Sequence, residues 1–565
     1  MFIKVTQSGS RRYAQLVESF RNIDGKPRQR TVCTLGRLDD GGEVDTLIAS
    51  LQRARGMAPA SSALEGLRFT DSRHAGDVWA LSELWRSLGF DDLASAWRRS
   101  KTETDVLGCL RLMVFNRLCD PGSKLGVLRW LDTVALPVGV ACVPEHQHLL
   151  RAMDVLDEYS DTLGDRLATL MRPLIDQDLS VVFYDLTTVS VTGQTDLEDD
   201  VRAYGRAKSG LVERQFMLSL VQTAEGLPIA HEVHPGNTAE AKTLLPMIAK
   251  LLARYPLKRV VLVADRGLLS VGNLEELDKL QAQLKEDGRD VALEYILAVP
   301  AARYGDFADD LQVLNEAQAV DQSWCSETQW KSSRLVVAHD PQVAARRAAA
   351  RNKTIAELVA MGQQCSDKLD GQDAGKKAKG RPMSDSGTKA RFYHAVKDVH
   401  MAHVIKVDLK ADLFSYSIDE EKKRYLELLD GKLLLVTNTD APAAEVVRRY
   451  KSLADIEQGF KVLKSDIEIG PVYHRLPQRI RSHALVCFMA LILYRVMRMR
   501  LAAAKRSESP ATLLEQLKRI HQQTVQTTDG KTLTGLTEMT PAQKSLFAAL
   551  ELALPTPENI TKPVL

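Results

Sequence analysis

Two apolar runs, each with one acid at a telling place, limit the fold more than anything else in the chain. Residues 180–191, SVVFYDLTTVSV, are β-branched and aromatic and carry a single charge, Asp185. In RVVLVADRG the apolar residues run from Val260 to Ala264, and Asp265 follows them. Such runs read as strands covered on both faces, which requires a sheet with helices packed on it. VERQFMLSLVQ and LPIAHEVH, joined by the turn Ala224-Glu225-Gly226, follow the first run. A helix, AEAKTLLPMIAKLLARY, precedes the second; a further helix from about Val271 to Leu284 and the strand ALEYILAVP come after it. The order β-β-β-α-β-α-β predicts an α/β fold with a mixed sheet and flanking helices.

A chain of 565 residues exceeds one core, so further units are expected around this sheet. Residues 1–60 read as a small basic β unit and a helix, with Asp24-Gly25 as a hairpin turn. Residues 61–176 read as a helical domain, with DNA binding as one use for it and plain packing as the other. The first part of the core sheet is expected at 177–300. Residues 301–430 fit the alternation poorly and read as a β-rich insertion, with a polar, mobile loop at 366–390. LLLVTNT returns to strand character, which puts the second part of the core at 431–500. Residues 501–565 read as a polar helical tail.

Charge does not announce a partner: 75 Lys and Arg face 73 Asp and Glu, a net of +2. Any basic surface must therefore be local. The 7 Cys include no CxxC pair, which suits a reducing compartment. MFIKVTQSGSRRY has no long apolar run, so no signal peptide is expected. The most apolar stretch, Ala484 to Met497, is too short to span a bilayer and reads as a buried helix. A cytoplasmic protein with no membrane partner is the expectation.

Residues 450–466, YKSLADIEQGFKVLKSD, read as one amphipathic helix with Leu453, Ile456, Phe460 and Leu463 as its apolar stripe. Tyr450, Glu457 and Lys464 recur at seven-residue steps, nearly two turns, and so would share a face. Taken alone this is an ordinary solvated face. Glu445 and Asp455 are rivals for a functional acid, but Glu445 suits a first turn and Asp455 points about 200° from Glu457. Acids beside buried strands are costly unless paired or bound to metal. Three carboxylates, Asp185, Asp265 and Glu457, match the hard oxygen ligands that Mg²⁺ takes. A pair of such ions can activate water and stabilise a leaving oxygen in phosphodiester cleavage. Other constellations fail. His231-Glu232-Val233-His234 is one residue short of HExxH, Cys142, His146 and His148 lack a fourth zinc ligand at finger spacing, and GxxxxGK[ST] is absent.

With these residues in view the chain resembles bacterial insertion-sequence transposases of the DDE type, whose core is RNase H-like. It is similar to the group marked by Y-(2)-R-(3)-E-(6)-K: Tyr450, Glu457 and Lys464 keep the spacing, and Leu453 stands where that pattern has Arg. Tyr184-Asp185-Leu186-Thr187, Asp265-Arg266-Gly267 and His234-Pro235-Gly236-Asn237-Thr238 look like the same group. The resemblance covers roughly 180–500. The gap from the second acid to the third is more than twice the first gap, matching a family habit of a β-rich insertion there.

The resemblance implies a DNA transposase in which Asp185, Asp265 and Glu457 bind two Mg²⁺ ions, with Mn²⁺ as a substitute. It implies double-stranded DNA partners, namely terminal inverted repeats and target, and a homodimer in a two-end complex. Tyr450 and Lys464 would contact DNA near the cut. Lys461, Arg448 and Arg449 are candidates for the contact that Leu453 does not make. Arg479 and Arg481 belong to a basic run from Arg475 to Arg506 that suits phosphate, the alternative being that its first members cap helices or pair with Asp466 and Glu468. Trp324 and Trp330 would stack on an unpaired base or else sit in a small β core. A nuclease or resolvase that cuts without joining, and an inactive DNA-binding relative, are the rival readings.

Overall fold

In a computed structural model the first alternating runs form three antiparallel strands, β1 (Phe2–Ser8), β2 (Arg11–Arg21) and β3 (Pro27–Arg37), followed by α1 (Glu43–Ala54). The β2–β3 turn is set by its own residues: the Asn22 side chain accepts from the Asp24 and Lys26 amides, and Gly25 takes φ +73°. The structure describes residues 1–39, 42–56, 67–140, 143–175, 180–193, 200–206, 212–239, 242–264, 271–289, 291–319, 321–331, 333–375, 382–527 and 530–561. Side chains at 43, 180–182, 185, 206, 264, 271–275, 453–458 and 561 also fall outside the description.

Next come β4 (Arg68–His74) and the helical layer: α2 (Gly76–Ser87), α3 (Val106–Cys119), α4 (Lys124–Leu131), the short β5 (Leu136–Pro137), α5 (His146–Glu158) and α6 (Ser160–Met171). Capping residues set two of the starts. The Asp105 carboxylate accepts from the Gly108 amide at 2.9 Å, and the Ser123 hydroxyl accepts from the Gly126 amide at 3.1 Å.

The central sheet begins with β6 (Ser180–Ser190), β7 (Ala203–Arg206), β8 (Val212–Thr223) and β9 (Pro228–Pro235). Then follow α7 (Leu244–Arg254), β10 (Arg259–Ala264), α8 (Val271–Glu286) and β11 (Ala292–Ala298). Strand β6 runs antiparallel to β8, whose far edge is shared by β7 and β9; β10 is parallel to both β6 and β11. Phe183, Tyr184, Val260, Val261, Leu262 and Val263 are fully buried, as the apolar runs predict.

The region from 301 departs from expectation. After α9 (Ala308–Glu316), strands β12 (Trp324–Trp330) and β13 (Ser333–His339) extend the main sheet. The rest is mostly helical: α10 (Pro341–Asp373), α11 (Asp385–Asp398), the small pair β14 (Ile405–Val407) and β15 (Tyr416–Ile418), and α12 (Glu420–Leu429). The expected β-rich insertion is therefore corrected. So is the loop at 366–390, most of which belongs to α10 and α11; residues 376–381 lie outside the described residues. Polar composition misled here, because α10 buries a sparse stripe that includes Leu358, Cys365 and Leu369 against Phe392 and Ile405.

Strand β16 (Lys432–Thr437) closes the gap between β13 and β11, completing nine described strands in one sheet. Helices α13 (Ala443–Lys451), α14 (Leu453–Ser465) and α15 (Pro477–Ala503) follow. α15 is buried on almost every face from Ser482 to Met497, so its apolarity serves a core. No helix among the described residues is long and apolar enough to cross a membrane. The last segment is not a purely helical tail. Between α16 (Pro510–Lys518) and α17 (Pro541–Ala549) lie β17 (His521–Gln526) and β18 (Thr532–Leu536), and a two-residue strand, β19 (Ile560–Thr561), pairs with β5. β17 pairs antiparallel with β4, so the end of the chain completes the helical layer near its start.

Candidate catalytic and DNA-binding site

Register brings two of the predicted segments side by side. In the parallel pair β6–β10, Val263 lies opposite Phe183 and Ala264 opposite Tyr184. Asp185 is the next residue of β6, paired with Leu220 of β8. Asp265 lies outside the described residues, as do the side chains of Asp185 and Glu457. The third segment arrives on α14, which packs on β6. Gly459 permits this approach: a Cβ there would stand 2.7 Å from Nε2 of Gln222, a fully buried residue of β8 that pairs with Phe183. Glu457 is two residues before Gly459 in the same helix.

Beside this junction is a cleft of about 460 Å³, walled by Leu186, Thr187 and Thr188 of β6 and by residues 236–239. Thr187 is buried, and its hydroxyl has no partner among the described residues. The segment His234 to Thr238 earns its shape from close backbone packing. A Cβ on Gly236 would lie 2.0 Å from the Gln215 carbonyl oxygen, while the Gln215 side-chain amide donates to the Gly236 carbonyl at 3.0 Å. His234 Nε2 lies 2.9 Å from the Ser219 hydroxyl, and burial lowers the imidazole pKa. Gly236→Ala is expected to destabilise the protein by about 1–3 kcal/mol, read by urea denaturation; a change below about 0.5 kcal/mol would mean that the loop yields freely. The sequence marks this segment, and Thr187 in the first motif, by likeness alone; the role of Gln215 is positional and not visible in one chain.

The single helix expected at 450–466 is corrected. It is two helices, α13 and α14, separated at Ser452. The Ser452 hydroxyl donates to the Arg449 carbonyl at 2.7 Å, the local competition for backbone groups that makes serine a helix boundary. Tyr450 thus stands on α13, half-buried against a cluster with Phe183, Val263 and Val446, while Glu457 and Lys464 belong to α14. The seven-residue face does not run unbroken through all three. Lys461 and Lys464 are exposed.

The remaining basic candidates are mostly engaged. Glu445 accepts from Arg448 at 2.8 Å and from Arg449 at 2.7 Å. Arg479 grips Asp154 at 2.7 and 2.8 Å, and Arg481 grips Asp157 at 2.8 and 2.9 Å, which ties α15 to α5. Arg495 is buried, Arg500 donates to the Leu550 carbonyl, and Arg506 pairs with Glu508. A continuous basic strip is therefore absent among the described residues; Arg475 and Arg498 are its exposed members in α15 and the segment before it. Trp324 and Trp330, on one face of β12, pack against the main core, the first tilted over His339 at 5.5 Å and the second against Phe307 at 5.6 Å. In the rejected zinc set, Cys142 lies outside the described residues and His148 Nδ1 accepts the Glu145 amide at 3.1 Å.

Compared with known families, residues 176–493 match the transposase DDE domain. Residues 3–62 match the N-terminal domain of IS1634 family transposases. A comparison with curated proteins found no match.

Proposed function

Because the chain belongs to the DDE transposase family and is a metal-dependent enzyme that cleaves and joins DNA, we propose that Asp185, Asp265 and Glu457 form its catalytic centre. The observation that carries this is the β6–β10 register, which sets Ala264 beside Tyr184 directly before the two strand acids. The strand order β9-β8-β6-β10-β11, antiparallel on one side of β6 and parallel on the other, supports an RNase H-like core. The donor set fits divalent metal: three carboxylates offer hard oxygens, and the buried Thr187 hydroxyl, without a partner among the described residues, lies two residues from Asp185. Two Mg²⁺ ions, or Mn²⁺, would supply a low-pKa water and charge stabilisation at the leaving oxygen.

The chain's own groups then hold the DNA in line. Glu457, on a helix seated against the sheet by Gly459, would complete the carboxylate set. Lys464 and Lys461, exposed on the same helix, meet backbone phosphates, and Tyr450 borders the site from α13. In the first step water attacks the phosphodiester at the element end, the P–O3′ bond breaks, and the 3′ oxygen leaves as a hydroxyl. In the second, that hydroxyl attacks a phosphodiester of the opposite strand or of target DNA, forming one P–O bond and breaking another. A homodimer holding two inverted repeats would join both ends. Cytoplasmic residence is supported by 7 Cys that include no CxxC pair.

Labelled element ends with Mg²⁺ are expected to give both cleaved and joined products. Cleavage without joining would leave a nuclease. Equal yield in chelator would remove the metal centre.

A further inference from the structure

A second cleft, on the helical layer, has a chemistry that the three acids do not explain. It holds about 480 Å³ and is bordered by the first residues of three helices: Lys124 of α4, His146 of α5, and Leu476 just before α15. Helix starts present a positive dipole end and unsatisfied amides. The stronger observation lies in the side chains. Arg117 is 5% exposed; its Nη1 donates to the carbonyls of Ile467 at 3.4 Å and Glu468 at 3.1 Å, and its Nε has no partner among the described residues. His483 is 6% exposed; Nε2 meets the Ile469 carbonyl at 2.9 Å, and Nδ1 has no partner among the described residues.

Lys124 is 5% exposed, Arg117 and Cys487 act on its charge, His474 and His483 also feel it, and no ion pair to a carboxylate is seen for it among the described residues. Burial, and then Arg117, lower its pKa to about 7. Glu468 lines the cleft but its side chain is exposed, and what it offers Arg117 is its carbonyl. Arg479 at the edge is already bound by Asp154. Buried cations gathered without a counter-charge are costly, and an anion arriving from solvent removes that cost. The rim is apolar and open: Tyr473 is 69% exposed and Leu125 is 50% exposed.

We propose that this cleft binds a phosphate group, with Arg117 and Lys124 as its cationic partners and with Tyr473 and Leu125 as the rim for an attached sugar or base. Arg117 and Lys124 supply charge-assisted donors, and the helix starts add amide donors of the kind that cradle phosphates. The phosphate belongs either to a DNA strand or to a free nucleotide or inorganic phosphate. DNA as the source rests on the transposase reading; the phosphate site itself does not.

Titration calorimetry of the full chain at constant ionic strength tests this with three probes: inorganic phosphate, a mononucleotide and a short 5′-phosphorylated oligonucleotide. Saturable binding is expected, weakened about tenfold or more in Lys124→Met. Lys124→Arg, which keeps the cation, should retain binding and guards against a folding artefact. Oligonucleotide binding that Lys124→Met weakens assigns DNA as the source. Binding of the small probes alone assigns a free phosphate. Tyr473→Ala should weaken the oligonucleotide and leave inorganic phosphate unaffected. No saturable binding of any probe, or equal binding in wild type and Lys124→Met, overturns the site. Neither metal nor element ends are needed, so this failure and a failure of the catalytic reading are told apart.

Discussion

Asp185→Asn is expected to lower metal-dependent cleavage of element ends by about 10³-fold or more while leaving the fold intact. The substitution is nearly isosteric, and the strand that carries it is held on both sides, by β10 up to Tyr184 and by β8 from Val182 to Ser190. The backbone therefore has little reason to move. What changes is one negative charge in the proposed set of three, whose combined charge would attract divalent metal. Gel analysis of labelled ends gives the rate, and circular dichroism gives the fold. Undiminished cleavage by a folded Asp185→Asn protein would show that the metal centre lies elsewhere. A parallel loss in Glu457→Gln, again with the fold kept, is the matching result for the helix.

Asp430→Ala is expected to cost about 3–5 kcal/mol of stability. Arg351 of α10 donates to the two Asp430 oxygens at 3.0 and 2.6 Å, and both residues are only 8% exposed. Removing the acid strands a guanidinium in a dry place. The next residue adds to the sensitivity: Gly431 takes φ +70°, and a Cβ on it would meet the Asp340 carbonyl oxygen at 2.4 Å. Together these contacts pin the long α10 to the turn that feeds β16. The double change Arg351→Met with Asp430→Leu should recover most of the loss, since it removes both charges. Guanidinium denaturation measures both; a cost under about 1 kcal/mol for the single change would mean that water reaches the pair.

Much of the core was legible because fully buried strands write themselves in β-branched and aromatic residues. SVVFYDLTTVS and RVVLVA became β6 and β10. The apolar run at 484–497 became the buried α15. The serine at 452 was also on view, yet its effect was missed. A period of 3.6 continues across a one-residue break, so periodicity reports a face and not the continuity of a helix. The insertion was misread for a related reason. Its helices are long and polar with sparse apolar contacts, a composition that loops share.

Of the proposed catalytic set, the sequence by itself determined the chemistry on offer: three acids in order, two at strands and one on a helix. Strand character and helical period are local properties, set within a few residues of each acid. Only the tertiary structure decided which strands are neighbours, that β10 lies parallel to β6 in the register Ala264 to Tyr184, and that Gly459 lets α14 sit on Gln222. It also decided that Arg479 and Arg481 hold α5, and that Arg117 and Lys124 share a cleft. The reason is physical. Pairing, register and charge compensation depend on contacts between residues far apart in the chain, and no local pattern records which distant partner a buried group will meet.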